Sequence, residues 1–201
     1  MDAQLAAVIV HDIKNALGAL EGELRQMTGD PSRERAVNAH ANCASLCDKL
    51  IGFLTLYKAS SHGLVARVEP LNPEDFLRAL LRERIDARPD LHVDIDIQDM
   101  PVIGFFDENL VGLALEAALQ NATRFARTMI SIGCVSEEGG LVFTIRDDGP
   151  GLEAKELVPS TGLGMELCRT IAQAHRRGDK CGSASLSDHP DGGALFSLRL
   201  P

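Results

Sequence analysis

A basic surplus is missing from this sequence. The formal net charge is -9, and the acids are spread along the 201 residues rather than gathered in a tail. Electrostatics therefore gives no reason to expect nucleic acid as a partner, and any phosphate site would have to be local. Long hydrophobic runs are missing too. The longest strictly apolar run near the start, Leu5 to Val10, falls far short of the roughly 20 residues needed to span a bilayer. No charged leader with a cleavage site precedes it, so the expectation is a cytoplasmic chain with no membrane insertion. The five cysteines (Cys43, Cys47, Cys134, Cys168, Cys181) form no CxxC pair. Cys43 and Cys47, four apart on one helix, lack further metal ligands and are expected to be buried, reduced thiols. Neither an internal repeat nor a low-complexity tract occurs. What is present is an ordinary globular composition, 45% hydrophobic and 24% charged, in a length that suits one large domain or two small ones.

Two patterns divide the chain. Leu5, Ile9, Ile13, Ala16, Leu17, Leu20, Leu24 and Met27 recur in steps of three and four, the period of an amphipathic helix. Thr28 to Ser32, TGDPS, breaks that pattern with turn chemistry. A second stripe follows at Val37, Ala41, Ala44, Cys47, Ile51 and Leu54. Two helices joined by a short turn predict an antiparallel hairpin over residues 1–60, whose exposed seam a homodimeric four-helix bundle would bury. Ser60 to Gly63 reads as a linker. Over residues 64–201 short strand-like runs alternate with helices, among them a helix opened by Asn72 as N-cap and Pro73 at its first position. EEGG separates two apolar runs as a hairpin turn. The fold class predicted is α+β, a helical hairpin followed by a sandwich of a mixed sheet with helices on one face.

With Ile13 at the centre of the buried stripe, His11 falls about 160° away, and Asn15 shares that outward face. Gly18 and Gly22 project there as well. Each glycine costs about 1 kcal/mol of helix propensity relative to alanine. Two of them beside an exposed histidine point to a face kept bare for another molecule, although a solvated histidine with incidental glycines gives the same pattern.

His11-Asp12-Ile13-Lys14-Asn15 resembles the phosphoacceptor box of bacterial two-component sensor histidine kinases, whose dimerisation domain is a helical hairpin. The resemblance implies that His11 takes the γ-phosphoryl group of ATP and passes it to an aspartate of a response-regulator receiver domain. Neutral imidazole is the nucleophile in such a step, and Asp12 would orient the ring and stabilise the proton that develops. Asn15 matches the position associated in the family with the phosphatase reaction. Ala16 stands where the family usually has proline.

Three further boxes resemble, in order, those of the Bergerat-fold ATPases. In EAALQNATRF (Glu116 to Phe125), the resemblance implies Asn121 as a ligand of Mg²⁺ and Arg124 as a phosphate contact. In IRDDGPGL (Ile145 to Leu152), it implies that Asp147 accepts a hydrogen bond from the adenine amino group. Gly149 and Gly151 would clear space where the backbone turns and the base must fit. In TGLGMELC (Thr161 to Cys168), Gly162 and Gly164 open a helix whose backbone amides suit phosphate oxygens. Each box alone is also an ordinary helix face, turn or helix entry. Their conjunction behind the hairpin carries the resemblance. Only ten residues separate Gly151 from Gly162, a short lid with no recognisable phenylalanine box, and Ala117 stands where many members have an asparagine or an acid.

The function implied is a cytoplasmic histidine kinase that uses ATP and Mg²⁺, acts as a homodimer and receives its input from a separate sensor protein or from segments outside this chain. A histidine phosphotransferase that relays phosphoryl groups through His11 with a non-functional ATP site is the alternative. A nucleotide-binding scaffold and a protein-serine kinase on the same ATPase fold also stay open.

Overall fold

The computed structural model describes residues 3–82, 90–152 and 162–201. The chain divides into two compact units, Met1–Gly63 and Leu64–Pro201.

The first unit is a helical hairpin of α1 (Ala3–Gly29) and α2 (Arg33–His62). Ser32 caps α2, its side chain accepting from the Arg35 N–H at 3.2 Å, which satisfies one of the amides a helix start leaves unpaired. Ser60, Ser61 and His62, expected as linker, continue the helix instead. The stop is Gly63, whose φ of 77° suits glycine and whose N–H bonds to the Ala59 carbonyl at 3.1 Å.

Leu20, Ala39 and Leu46 form the buried centre of the hairpin, with Ile13, Ala16 and Met27 packed against it. A polar clasp runs beside this core, where Asn42 Nδ2 donates to both carboxylate oxygens of Glu23 at 2.8 and 2.9 Å. The α2 stripe expected from the sequence is not the one that meets α1. Val37, Ile51 and Leu54 are 59%, 44% and 59% exposed, and Leu17 and Leu24 of α1 are exposed with them. Cys43 and Cys47 lie on the exposed part of α2 rather than buried. The reason is geometric. Helix α2 carries apolar residues on more than one face, and the small Ala39 lets the other face approach α1 closely.

The second unit is an α+β sandwich. Its five-stranded sheet has the order β2-β4-β5-β9-β8 (β2, His92–Asp96; β4, Met129–Glu137; β5, Gly140–Asp147; β8, Ser183–Asp188; β9, Ala194–Leu200). Only β2 and β4 run parallel; the other neighbours are antiparallel. A separate ribbon pairs β1 (Glu69–Leu71) with β3 (Gly104–Phe106), and a short one pairs β6 (Arg176–Arg177) with β7 (Lys180–Cys181). Alternation puts Ile130, Ile132, Phe143, Ile145, Phe196 and Leu198 on the inner face, all buried. That face is covered by α3 (Pro73–Arg82), α4 (Glu108–Phe125) and α5 (Leu163–Ala174). Phe76, Phe106 and Phe143 pack edge to face with centroids 5.0 to 6.1 Å apart, locking α3 to the sheet. Burial pushes the thiols of Cys134 and Cys168 up to about 12, so both stay protonated at neutral pH. Among the described residues no helix is long and apolar enough to cross a membrane.

Candidate functional site: an outward histidine and a glycine loop

Two groups of residues carry chemistry, one in each unit. On α1 the His11 side chain is 69% exposed and that of Asp12 36%. The turn of the helix brings Asn15 beside the ring. Asp12 Oδ1 stands 3.5 Å from His11 Nδ1, and Asn15 Nδ2 stands 3.2 Å from the same nitrogen and 3.5 Å from Nε2. The two neighbours favour opposite tautomers, since a carboxylate wants a proton on Nδ1 and an amide N–H wants a lone pair there. The carboxylate prevails whenever the ring gains positive charge, because only the charged pair strengthens. Gly18 is exposed and a Cβ built on it would meet nothing within 4 Å, as would one on Gly22.

In the second unit the sequence-predicted residues sit on α4 itself and on two segments beside it, the loop after β5 and the start of α5. Asp107 caps that helix, its side chain accepting from the Leu110 N–H at 3.0 Å. Asn121 is half-buried on its last turns, and Arg124 is exposed with its guanidinium 5.5 Å from the centroid of the Phe125 ring. The strand β5 ends at Asp147, which is buried at 4% exposure. Its Oδ1 accepts the N–H groups of Gly149 at 2.9 Å and Ala194 at 3.2 Å. A Cβ on Gly149 would stand 2.5 Å from the Phe125 carbonyl oxygen, and one on Gly151, where φ is 81°, would stand 2.6 Å from Asp188 Oδ1. These glycines therefore serve the loop's own packing at the backbone turn expected from the sequence. The start of α5 closes the group. Gly162 takes a left-handed φ of 69° as its N-cap, no side chain caps the helix, and a Cβ on Gly164 would lie 3.8 Å from the Ala117 methyl. Thr161 and most of the short lid lie outside the described residues.

Sequence reasoning missed three residues here. Asp148 accepts from the Arg127 N–H at 2.8 Å, the Thr128 N–H at 3.1 Å and the Thr128 hydroxyl at 2.6 Å. Partial burial pushes its carboxyl up, but the bonds from the Thr128 side chain and from the Thr128, Met129 and Arg127 backbone outweigh that and hold it well below the usual carboxylate range. Asp188 accepts from the Leu152 N–H at 2.7 Å. Gly193, with φ of 84°, lies so close to the Asp147 carbonyl oxygen that no Cβ fits. The doubled acid of DDGPG and the glycine pair of DGG were signals for the first and third; nothing local marks Asp188.

The donor set suits a nucleotide with Mg²⁺. Among the described residues no group of three or more His, Cys, Asp or Glu side chains could hold a metal. The single hard oxygen of Asn121 is the kind of limited protein ligation that Mg²⁺ accepts when phosphates and waters complete its shell.

An outward histidine on a helical hairpin, followed by an α/β sandwich with a buried aspartate at a glycine loop, defines the architecture of a histidine kinase core. Residues 106–201 match the family of histidine kinase-, DNA gyrase B-, and HSP90-like ATPases. The solved ATP-binding domain of PrrB from Mycobacterium tuberculosis is 30% identical, with a TM-score of 0.52, over 67% of this chain and 96% of that one. The chain belongs to the histidine kinase family. Sensor protein KdpD of Escherichia coli is 23% identical over 98% of this chain and 24% of its own length. Histidine kinase ThkA, solved in complex with response regulator protein TrrA, has the same fold at a TM-score of 0.69 and 16% identity, over 99% of this chain and 61% of that one. The chain spans about a quarter to a half of the length of the curated relatives it matches.

Proposed function

We propose that this chain autophosphorylates on His11 from ATP and transfers the phosphoryl group to an aspartate of a response-regulator receiver domain. The observation that carries this reading is the exposed His11 ring with Asp12 and Asn15 against it. With the proton on Nδ1 facing Asp12, the Nε2 lone pair attacks the γ-phosphorus and the bond from that phosphorus to the β,γ-bridging oxygen breaks. The proton on Nδ1, made acidic by the charge on the ring, is held by Asp12 or passes to water. In the second unit Asp147 receives the adenine amino group and the open start of α5 at Gly162 and Gly164 receives phosphate oxygens. Gly149 lets the loop that carries Asp147 lie flat against the end of α4, and Gly151 lets the same loop pass close to Asp188. Asn121 would hold Mg²⁺, which would neutralise charge on the transferring phosphate, and Arg124 adds an exposed cation. Asn15 orients water for the phosphatase reaction, in which water rather than His11 takes the phosphoryl group from the receiver aspartate. ThkA is a relative whose solved complex holds a response regulator, which supports the class of partner proposed here.

The working unit is a homodimer. Leu17, Leu24, Ile51 and Leu54 are exposed apolar side chains on both helices, the kind of surface that a partner covers, and a second copy would close it as a four-helix bundle. The chain acts in the cytoplasm and takes its input from a separate sensor protein or from further segments. Incubation with γ-labelled ATP and Mg²⁺ tests the reading. Acid-labile label that disappears in His11→Ala supports it. Label that arrives only from a phosphorylated receiver would instead make the chain a phosphotransferase, and no label under either condition would reject both.

A further inference from the structure

The glycine loop is held at both ends by carboxylates that no reading of the nucleotide site uses. Four hydrogen bonds from residues 127–128 reach Asp148 at the loop's start, two of them from the Thr128 N–H, one to each carboxylate oxygen. These residues follow directly on the helix that carries Asn121 and Arg124. At the loop's far end Asp188, on the last residue of β8, accepts the Leu152 N–H. Gly149 and Gly151 are small where these attachments demand it, the first against the Phe125 carbonyl and the second against Asp188 itself. We propose that Asp148 and Asp188 are positioning residues for the nucleotide site, a pair of braces that fix the loop carrying Asp147 before nucleotide arrives. Their contribution is preorganisation. A loop already in its binding geometry loses less conformational freedom on binding.

The inference rests on the reading that this loop binds adenine nucleotide, and the experiment separates the two. Asp148→Ala, Asp188→Ala and the isosteric Asp188→Asn are compared with the wild type in the full chain. Amide hydrogen exchange without nucleotide is read at Arg127, Thr128 and Leu152, and affinity for Mg²⁺-ATP by calorimetry. The expected result is at least about ten-fold faster exchange at the amides each alanine variant releases and an affinity about ten-fold weaker, with Asp188→Asn restoring both because its amide oxygen still accepts from Leu152. In labelling assays KM for ATP should rise by a similar factor while kcat at saturation stays within about two-fold, a split that general unfolding would not give. Unchanged exchange, or faster exchange with wild-type affinity, overturns the brace while leaving nucleotide binding intact. A wild type that binds no nucleotide overturns the reading beneath it and the brace together.

Discussion

The backbone N–H of Asp107 donates to Nε2 of His175 at 3.1 Å, while Nδ1 of the same ring lies 2.9 Å from the Ile171 carbonyl oxygen. An acceptor at Nε2 and a donor at Nδ1 require the neutral tautomer protonated on Nδ1. Burial lowers the pKa of this ring below 6.5, opposed by the Ile171 carbonyl and the Asp107 carboxylate. The folded state therefore binds its proton later than the unfolded state does. Between 6.5 and the lower folded value the unfolded chain holds more protons, so stability falls as the pH drops through that window and levels off below it. Melting temperature measured from pH 7.5 to 5 should decline in the wild type. In His175→Gln, which removes the titrating group, that part of the slope should vanish, and an unchanged slope would rule His175 out as its source.

The exposed seam gives a second prediction. Leu54→Glu and Ile51→Glu place charge on positions 59% and 44% exposed in the single chain, so neither should disturb the hairpin itself. If a second copy covers that face, each charge is buried at the seam and association should weaken by several kcal/mol per dimer. Light scattering on size-exclusion fractions should then show a mass near 43 kDa for the wild type, about twice that of one 21.6 kDa chain, and half that for the variants. A wild type that runs at the mass of one chain removes the dimer.

Local signals were legible and non-local ones were not. Asn72 and Pro73 announce α3, and the structure has the Asn72 side chain accepting from the Asp75 N–H at 3.0 Å. EEGG announces the β4–β5 turn, where Glu138 and Gly139 take φ of 51° and 79° as a two-residue hairpin requires. Both depend on residues a few positions apart. The face of α2 that meets α1 depends instead on which of two apolar stripes fits its neighbour, which periodicity alone does not decide. The parallel pairing of β2 with β4, and the bond from Asp188 to Leu152 across 36 positions, depend on topology. His175 carries no sequence signal, since a lone histidine is given a role only by the buried groups around it. The short β6–β7 ribbon also escaped notice, although Gly178, with φ of 61°, marks its turn.

Adjacent glycines provide a controlled comparison. Gly192 and Gly193 both take left-handed φ, 92° and 84°, so alanine at either should cost about 1 to 3 kcal/mol through the backbone. Only Gly193 abuts the Asp147 carbonyl, whereas a Cβ on Gly192 meets nothing within 4 Å. Gly193→Ala should therefore lower the urea midpoint clearly more than Gly192→Ala, and it alone should weaken nucleotide binding by displacing Asp147. Equal midpoints for the two variants would mean that the contact with Asp147 relaxes at little cost.

Asp147→Asn isolates chemistry from shape at the same place. Asparagine keeps the Oδ1 that accepts from Gly149 and Ala194, so the loop and the association state should persist. What changes is the other atom of the group, from an acceptor to an N–H donor, which would face the donating amino group of adenine. Two opposed donors in a buried site cost on the order of 1 to 3 kcal/mol, or roughly five- to 150-fold in affinity. A purine that carries a carbonyl in place of that amino group presents an acceptor, so GTP should gain on ATP in the variant. Calorimetry with both nucleotides reads this directly. Equal loss for both would point to a damaged loop, and unchanged ATP affinity would remove Asp147 from base recognition, whereas a reversed preference is obtained only if its carboxylate meets the base edge.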